Sequence, residues 1–350
     1  MKKLKKILTI TLVLVMISSI LTGCAEKMAR TNSRVVEGKP VKIAVLLIDF
    51  ADDYISLLRQ DLEEIQRKNE GKVEFTFFDS KSDEAIQNEN INTVLKNNFD
   101  VVLLNILDVK AAPAVINKMK EANIPIILFN REPLATDSIK SYKKAFYVGT
   151  DAKEAGILQA KILIDKWNTD RASIDKNGDG VMQYIMLKGD KDNIEQIART
   201  KYSILTINNA GIKTEELASV YANWNRELAK EAILQLFLKY GNKIEVIIAN
   251  DDSMAEGAID ALQTYGYNKG DETPTIAVIG VDALEPVREL IRKGIMTGTV
   301  IQDDRGMTET LYTMAMNLVS NKPPLEGVKY KFDQTGIAVR IPYQEFKISN

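Results

Sequence analysis

The sequence predicts an α/β protein of two lobes, each a parallel sheet with helices on both faces. From Val41 onward, short runs rich in Val and Ile alternate with longer segments of helical period. Buried parallel strands read as unbroken apolar runs because both faces are covered, and alternation with helices supplies the cover. The chain has 350 residues, more than one hydrophobic core usually serves, so two lobes are expected.

Residues 41–48 are the first predicted strand. A helix over 54–68 follows, with Ile55, Leu58, Leu62 and Ile65 spaced three and four apart. Further strands are predicted at 73–78, 101–105, 124–129, 182–187, 245–249, 275–279 and 297–301, with helices in most of the gaps. In open α/β sheets ligands sit beyond the carboxyl ends of the strands. Asp52, Asn105, Asn130, Asp251, Asp282 and Gln302 all follow apolar runs. Each alone could be a turn former or a helix cap, but their recurrence favours a shared ligand cleft.

Ahead of the first strand stand Lys2, Lys3, Lys5 and Lys6, an apolar run through Ile20, and then Leu21-Thr22-Gly23-Cys24. This order predicts a signal peptide over 1–23, its apolar core short for a membrane span. The stretch resembles the bacterial lipobox, which implies lipidation of Cys24 and an anchor of two acyl chains on the extracytoplasmic face. Residues 24–40 are polar and aperiodic, as a lipidated N-terminus and linker would be.

Cys24 is the only cysteine, so disulfides, Cys-ligated zinc and cysteine nucleophiles are excluded from the folded part. With no histidine, Ser-His-Asp and Cys-His catalysis drop out as well. A carboxylate-pair glycosidase built on Asp52 and Asp282 is the enzyme reading left, and we expect no enzyme. A net charge of -2, with both signs interspersed, gives no general attraction for nucleic acid.

Residues 175–183 read Asp-Lys-Asn-Gly-Asp-Gly-Val-Met-Gln. Oxygen side chains at loop positions one, three, five and nine (Asp175, Asn177, Asp179, Gln183), a glycine at six and the carbonyl of Val181 predict a structural calcium loop. The bidentate glutamate of position twelve is replaced by Met186, so a remote carboxylate must close the shell. An Asp/Asn/Gly-rich turn without metal is the plainer alternative.

Asn130-Arg131-Glu132-Pro133, Tyr147-Val148-Gly149-Thr150-Asp151, residues 244–249 and Gly280-Val281-Asp282-Ala283-Leu284 carry a family resemblance. From about Lys42 to the C-terminus the chain resembles the galactose/glucose-binding proteins of the periplasmic binding protein superfamily, in its ribose-binding-like branch. The resemblance implies the type I fold, with a three-segment hinge near 130–132, 302–305 and 334–338. Lobe 1 would then be 41–130 plus 304–336, and lobe 2 would be 131–303 plus 337–350.

It also implies that Glu245 completes the calcium shell and that Tyr54 and Trp224 sandwich a sugar. Asp52, Asn105, Arg199 and Asp282 match the family's polar contacts, while Asn193, Glu195, Asp251 and Gln302 depart from its usual His, Asp, Asn and Asn. Asp251 adds a charge, so the pocket is expected to have moved from galactose and glucose toward another polyol, a pentose or an amino sugar among them. The implied role is a monomeric receptor that closes on a monosaccharide and delivers it to the permease of an ABC importer. The alternative is a co-receptor for a chemoreceptor or a histidine kinase. A transcription regulator of the same fold would carry an N-terminal helix-turn-helix where this chain has its signal sequence.

Overall fold

The computed structural model describes residues 39–134, 136–270 and 273–347. The signal peptide, Cys24 and the linker up to residue 38 lie outside the described residues. In chain order the strands are β1 (Val41–Leu47), β2 (Val73–Asp79), β3 (Val101–Leu104), β4 (Ile126–Phe129), β5 (Ala145–Gly149), β6 (Val181–Lys188), β7 (Lys213–Tyr221), β8 (Val246–Ala249), β9 (Ala277–Ile279), β10 (Gly298–Ile301), β11 (Ala338–Arg340) and β12 (Gln344–Lys347). The helices are α1 (Asp53–Lys68), α2 (Glu84–Lys96), α3 (Ala112–Glu121), α4 (Asp137–Lys140), α5 (Ala152–Thr169), α6 (Ile194–Asn209), α7 (Arg226–Tyr240), α8 (Asp252–Thr264), α9 (Glu285–Arg292) and α10 (Asp304–Val319).

Two six-stranded sheets form, ordered β11-β5-β4-β3-β1-β2 and β12-β10-β9-β8-β6-β7. The first is parallel throughout, and in the second only β12 runs antiparallel, against β10. The two-residue period of a strand explains the double cover. In β1, Ile43, Val45 and Leu47 pack with Met307, Leu311 and Met314 of α10. Ala44 and Leu46, on the opposite face, pack with Ile91 and Val94 of α2 and with Val115, Ile116 and Met119 of α3. In β8, Ile247 and Ala249 face α7, α8 and α9, while Val246 and Ile248 face α5 and α6. Removing a large side chain from such a core costs about 2–5 kcal/mol.

The sheets correct the expected lobe boundaries. Residues 145–149 pair with β4, and residues 338–340 pair with β5, so both belong to lobe 1. Lobe 1 is therefore 41–149 plus 304–340, and the first crossing falls at 150–151 rather than at 130–132. The cause is local. Asn130 takes a left-handed φ of 60° that turns the chain back at the end of β4 instead of sending it across. The third crossing lies at 341–343 rather than 334–338, because Phe332 first bridges back to Val339. The middle crossing, between Ile301 and Asp304, lies where the expected 302–305 placed it. Strands β5, β7, β11 and β12 were not foreseen. β5 reads Ala-Phe-Tyr-Val-Gly, an apolar run that ends in glycine, while β11 is broken by Arg340, β12 reads Gln-Glu-Phe-Lys and β7 reads Lys-Thr-Glu-Glu over its first half, so none of these last three shows an unbroken apolar run.

Candidate ligand-binding site

A cavity between the lobes encloses ~490 Å³ of non-atom space, its open mouth included. Asp52, Tyr54, Asn193, Glu195, Arg199, Trp224, Asp251, Asp282 and Gln302 all line it. Asn105, the remaining predicted contact, does not. It is fully buried behind the wall, where its Nδ2 donates to Asn130 Oδ1 (3.1 Å) and to Phe129 O (3.3 Å). Its role is to hold Asn130, which reaches the cavity in its place.

Several lining residues are helix caps at the same time. Asp52 Oδ1 accepts from Ile55 N, Asn193 Oδ1 from Gln196 N and Asp251 Oδ1 from Met254 N, each at 2.9 Å. The cap fixes the rotamer with one oxygen and leaves the rest of the side chain for the cleft. The helix N-termini of α1, α6 and α8 thus converge on the cavity.

Backbone conformations that most side chains avoid aim three more residues. Asn223 and Trp224 have φ of 52° and 61°, and Asp282 has φ of 122°. Such residues cost about 1–3 kcal/mol each and persist only where their surroundings force them. For Asp282 the surroundings are Asp252, whose carboxylate accepts from Leu284 N (2.9 Å) and Thr299 Oγ1 (2.6 Å). For the indole they include Gly189, where a Cβ would lie 2.0 Å from Trp224 Cζ2. Only glycine lets the ring lie there.

Arg199 is 4% exposed and gripped from behind. Its Nη1 donates to Asn250 O (2.7 Å), and its Nη2 donates to Gln302 Oε1 (2.6 Å) and Tyr343 Oη (2.9 Å). Tyr343 in turn donates to Gln302 Oε1 (3.1 Å) and lies 2.8 Å from Thr150 Oγ1. Thr150, Gln302 and Tyr343 each sit on a different crossing segment, so one hydroxyl ties the three crossings to an arginine of the cavity.

The lobes also meet at the cavity's edge. Ser253 Oγ donates to Asp53 Oδ2 (2.5 Å), Arg131 Nη2 to Asp190 Oδ2 (2.6 Å) and Glu132 N to Glu195 Oε1 (3.2 Å). This is a closed arrangement. Inside it, Tyr54 Oη, Glu195 Oε2, Arg199 Nε and Trp224 Nε1 are buried without a hydrogen-bond partner. A buried polar atom left unpaired costs about 1–3 kcal/mol, so their gathering around one cavity points to a small polar ligand. Burial pushes the carboxyl of Asp52 up to about 6 and that of Asp251 up to about 7, against cap bonds that pull the other way. Burial also raises Glu195 and lifts Asp282 well above the usual range.

Sequence reasoning missed Arg131, Ser253 and Tyr343. Arg131 and Ser253 each follow within two residues of a strand-end residue already singled out, which was the available signal. Tyr343 lies beyond the last foreseen strand, in a segment without a period.

The predicted calcium loop is compact. Asp175 Oδ2 accepts from Gly180 N (3.1 Å) and Arg171 Nε (2.8 Å), while its Oδ1 is buried and unpaired. Glu245 is 1% exposed directly beneath, accepting from Lys176 N (2.8 Å) and Gln183 N (3.1 Å). Asn177 Nδ2 and Gln183 Nε2 both donate to Asp179 Oδ2, at 3.0 and 2.9 Å. The carboxylates of Asp175, Asp179 and Glu245, and the amides of Asn177 and Gln183 once they turn over, present hard oxygen ligands, and the orphaned Asp175 oxygen suits a cation. Among the described residues no three acidic side chains cluster closely enough to hold a metal by themselves, so the amide and carbonyl oxygens would be needed.

Two α/β lobes closed over a polar cavity, joined by three crossings, define a hinged small-molecule receptor. Residues 43–323 match the family model described as periplasmic binding protein domain, and the chain belongs to that family. It is 35% identical over 303 residues to the D-galactose/methyl-galactoside binding periplasmic protein MglB of Haemophilus influenzae, covering 86% of this chain and 88% of that protein. It is 26% identical to a putative rhizopine-binding protein of Rhizobium meliloti, over 77% of this chain and 81% of the relative. An ABC transporter solute binding protein from Bacillus halodurans with bound myo-inositol superposes with a TM-score of 0.72 at 23% identity, over 89% and 96% of the two chains. One from Actinobacillus succinogenes with bound D-allose gives 0.73 at 20%, over 88% and 98%. These two share the fold.

Proposed function

We propose that this protein is an extracytoplasmic receptor that closes on a monosaccharide or a related polyol and delivers it to an ABC importer, without chemical change to the ligand. The observation that carries this reading is the cavity itself. Two aromatic side chains, Tyr54 and Trp224, and a ring of carboxylate, amide and guanidinium groups line a space shared by both lobes. A pyranose or cyclitol has apolar C–H faces that lie well on rings and a rim of hydroxyls that needs planar polar partners. Support comes from the 35% identical relative, which is named for galactose binding. Because both lobes line the cavity, ligand binding and closure are one equilibrium, and the closed shape is what a permease would read.

Calcium in the loop of Asp175, Asn177, Asp179, Val181, Gln183 and Glu245 would be structural, holding the start of β6 to the start of β8. Lipidation at Cys24 and a monomeric state complete the reading. The test is calorimetric titration of the purified protein with galactose, glucose, allose, ribose and myo-inositol. At least one is expected to bind in the micromolar range or tighter, and Trp224→Ala to weaken it strongly. No heat with any of these or their amino derivatives would overturn the proposal, as would turnover of nitrophenyl glycosides.

A further inference from the structure

The loop of residues 175–183 carries a positive charge of its own. Asp175 is buried at its start, and Glu245 is buried beneath it. Glu245 accepts from the backbone N–H of Lys176, the neighbour of Asp175, and Gln183 joins Glu245 to Asp179 through its backbone and side-chain N–H groups. Carboxylates drawn into one turn repel one another, and burial raises the cost unless a cation answers them. Among the described residues one basic side chain forms an ion pair with them. Arg171 Nε donates to Asp175 Oδ2 at 2.8 Å, joining a half-exposed guanidinium to a carboxylate whose side chain is 3% exposed. Lys176, within the loop, turns its Nζ instead to the carbonyl of Thr275.

Local structure puts the guanidinium there. Residues 171–173 form a short 3-10 turn, and Ile174 N and Asp175 N both donate to Arg171 O, at 2.9 and 2.8 Å. The Arg171 side chain therefore leaves the chain one turn ahead of Asp175. It lies over the buried indole of Trp167, 4.7 Å from the ring centre. Gly180, at a left-handed φ of 77°, leaves it room, because a Cβ there would lie 2.8 Å from Arg171 Nη2.

The two oxygens of Asp175 are thereby divided. Oδ2 is taken by Arg171 Nε and Gly180 N, while Oδ1 is buried and unpaired. A cation in the loop would meet Oδ1 beside a fixed positive charge, and both oxygens would be open to it only with the guanidinium displaced. The affinity of such loops follows the charge carried by the site.

We infer that Arg171 is a built-in counter-cation of the loop: it holds the turn folded without metal and lowers its affinity for calcium. The inference rests on the calcium reading proposed above and adds what the loop does when calcium is scarce. The starts of β6 and β8 then stay joined after the metal leaves, so the cavity at the far ends of those strands does not depend on the calcium supply.

Calorimetric titration of calcium into EGTA-stripped protein, at pH 7 and low salt, compares the parent with Arg171→Gln and Arg171→Lys. Thermal melts in EGTA and in excess calcium run beside it. Arg171→Gln is expected to bind calcium about tenfold tighter than the parent, to melt lower in EGTA and to gain more from calcium. Arg171→Lys keeps the charge without the planar fork, and is expected to bind calcium within about threefold of the parent, which separates charge from packing on Trp167. Calcium binding by Arg171→Gln that equals or falls below that of the parent, or an EGTA melt that this variant leaves unmoved, overturns the inference and leaves the calcium reading standing. No calcium heat from any of the three proteins overturns both.

Discussion

Replacing Tyr343 by Phe removes one oxygen and almost no volume, which makes it a clean probe of the node where the crossings meet. The hydroxyl accepts from Arg199 Nη2, donates to Gln302 Oε1 and pairs with Thr150 Oγ1. Its loss deletes a charge-assisted bond and two neutral ones, and leaves a buried Thr150 hydroxyl unpaired. With net values near 1 kcal/mol for a neutral bond and 1.5–3 for a charged one, the sum is about 3 kcal/mol after partial relaxation. A chain of this size loses about 2–4 °C of melting temperature per kcal/mol, so a fall of about 6–12 °C is expected. Arg199 also loses one of its grips, so affinity for the bound sugar should fall in the same variant. Thermal melts with and without ligand, beside calorimetry, separate the two effects. If Tyr343→Phe melts within about a degree of the parent and binds unchanged, the node does not couple cleft to hinge.

The remaining predictions follow from other parts of the structure. Burial raises Asp52 to about 6 and Asp251 to about 7. The folded state therefore favours their protonated forms, and stability present at pH 4 is lost as pH rises through those values. The ligand-free melting temperature should fall between about pH 4 and 7.5, and less so in Asp251→Asn; a flat or rising profile would contradict this. Chelation should lower the melting temperature by several degrees, with recovery on adding calcium and little on adding magnesium, which tolerates such a loop poorly. Gly189→Ala should push the indole of Trp224 aside, shifting its emission and weakening ligand binding about tenfold or more, and an unchanged spectrum would refute the packing described.

Much of the fold was legible because each central strand is covered on both faces and so writes itself as an unbroken apolar run, as 43–47 and 246–249 do. Edge strands have fewer such constraints. β7 lies at a sheet edge with a half-exposed face, and β11 and β12 pair late in the chain over three and four residues. The candidate site was legible at strand ends, where Asp52, Asp251 and Asp282 stand out as polar residues after apolar runs. Asn105 misled for an instructive reason. It occupies a strand end but turns inward to support the next strand end, Asn130, and no local pattern separates a support from a contact. Tyr343 escaped because its partners lie 193, 144 and 41 residues away, a relation that only the folded chain creates.

The order in which the chain is made has a consequence for secretion. Lobe 2 is nearly one contiguous stretch, whereas the face of β1 formed by Ile43, Val45 and Leu47 is sealed by Met307, Leu311 and Met314, some 260 residues later. Domains mature as their segments leave the ribosome, so the amino-terminal half must remain unsealed until almost the whole polypeptide exists. A translocon that threads only unfolded chains would meet this protein while its first lobe is still open.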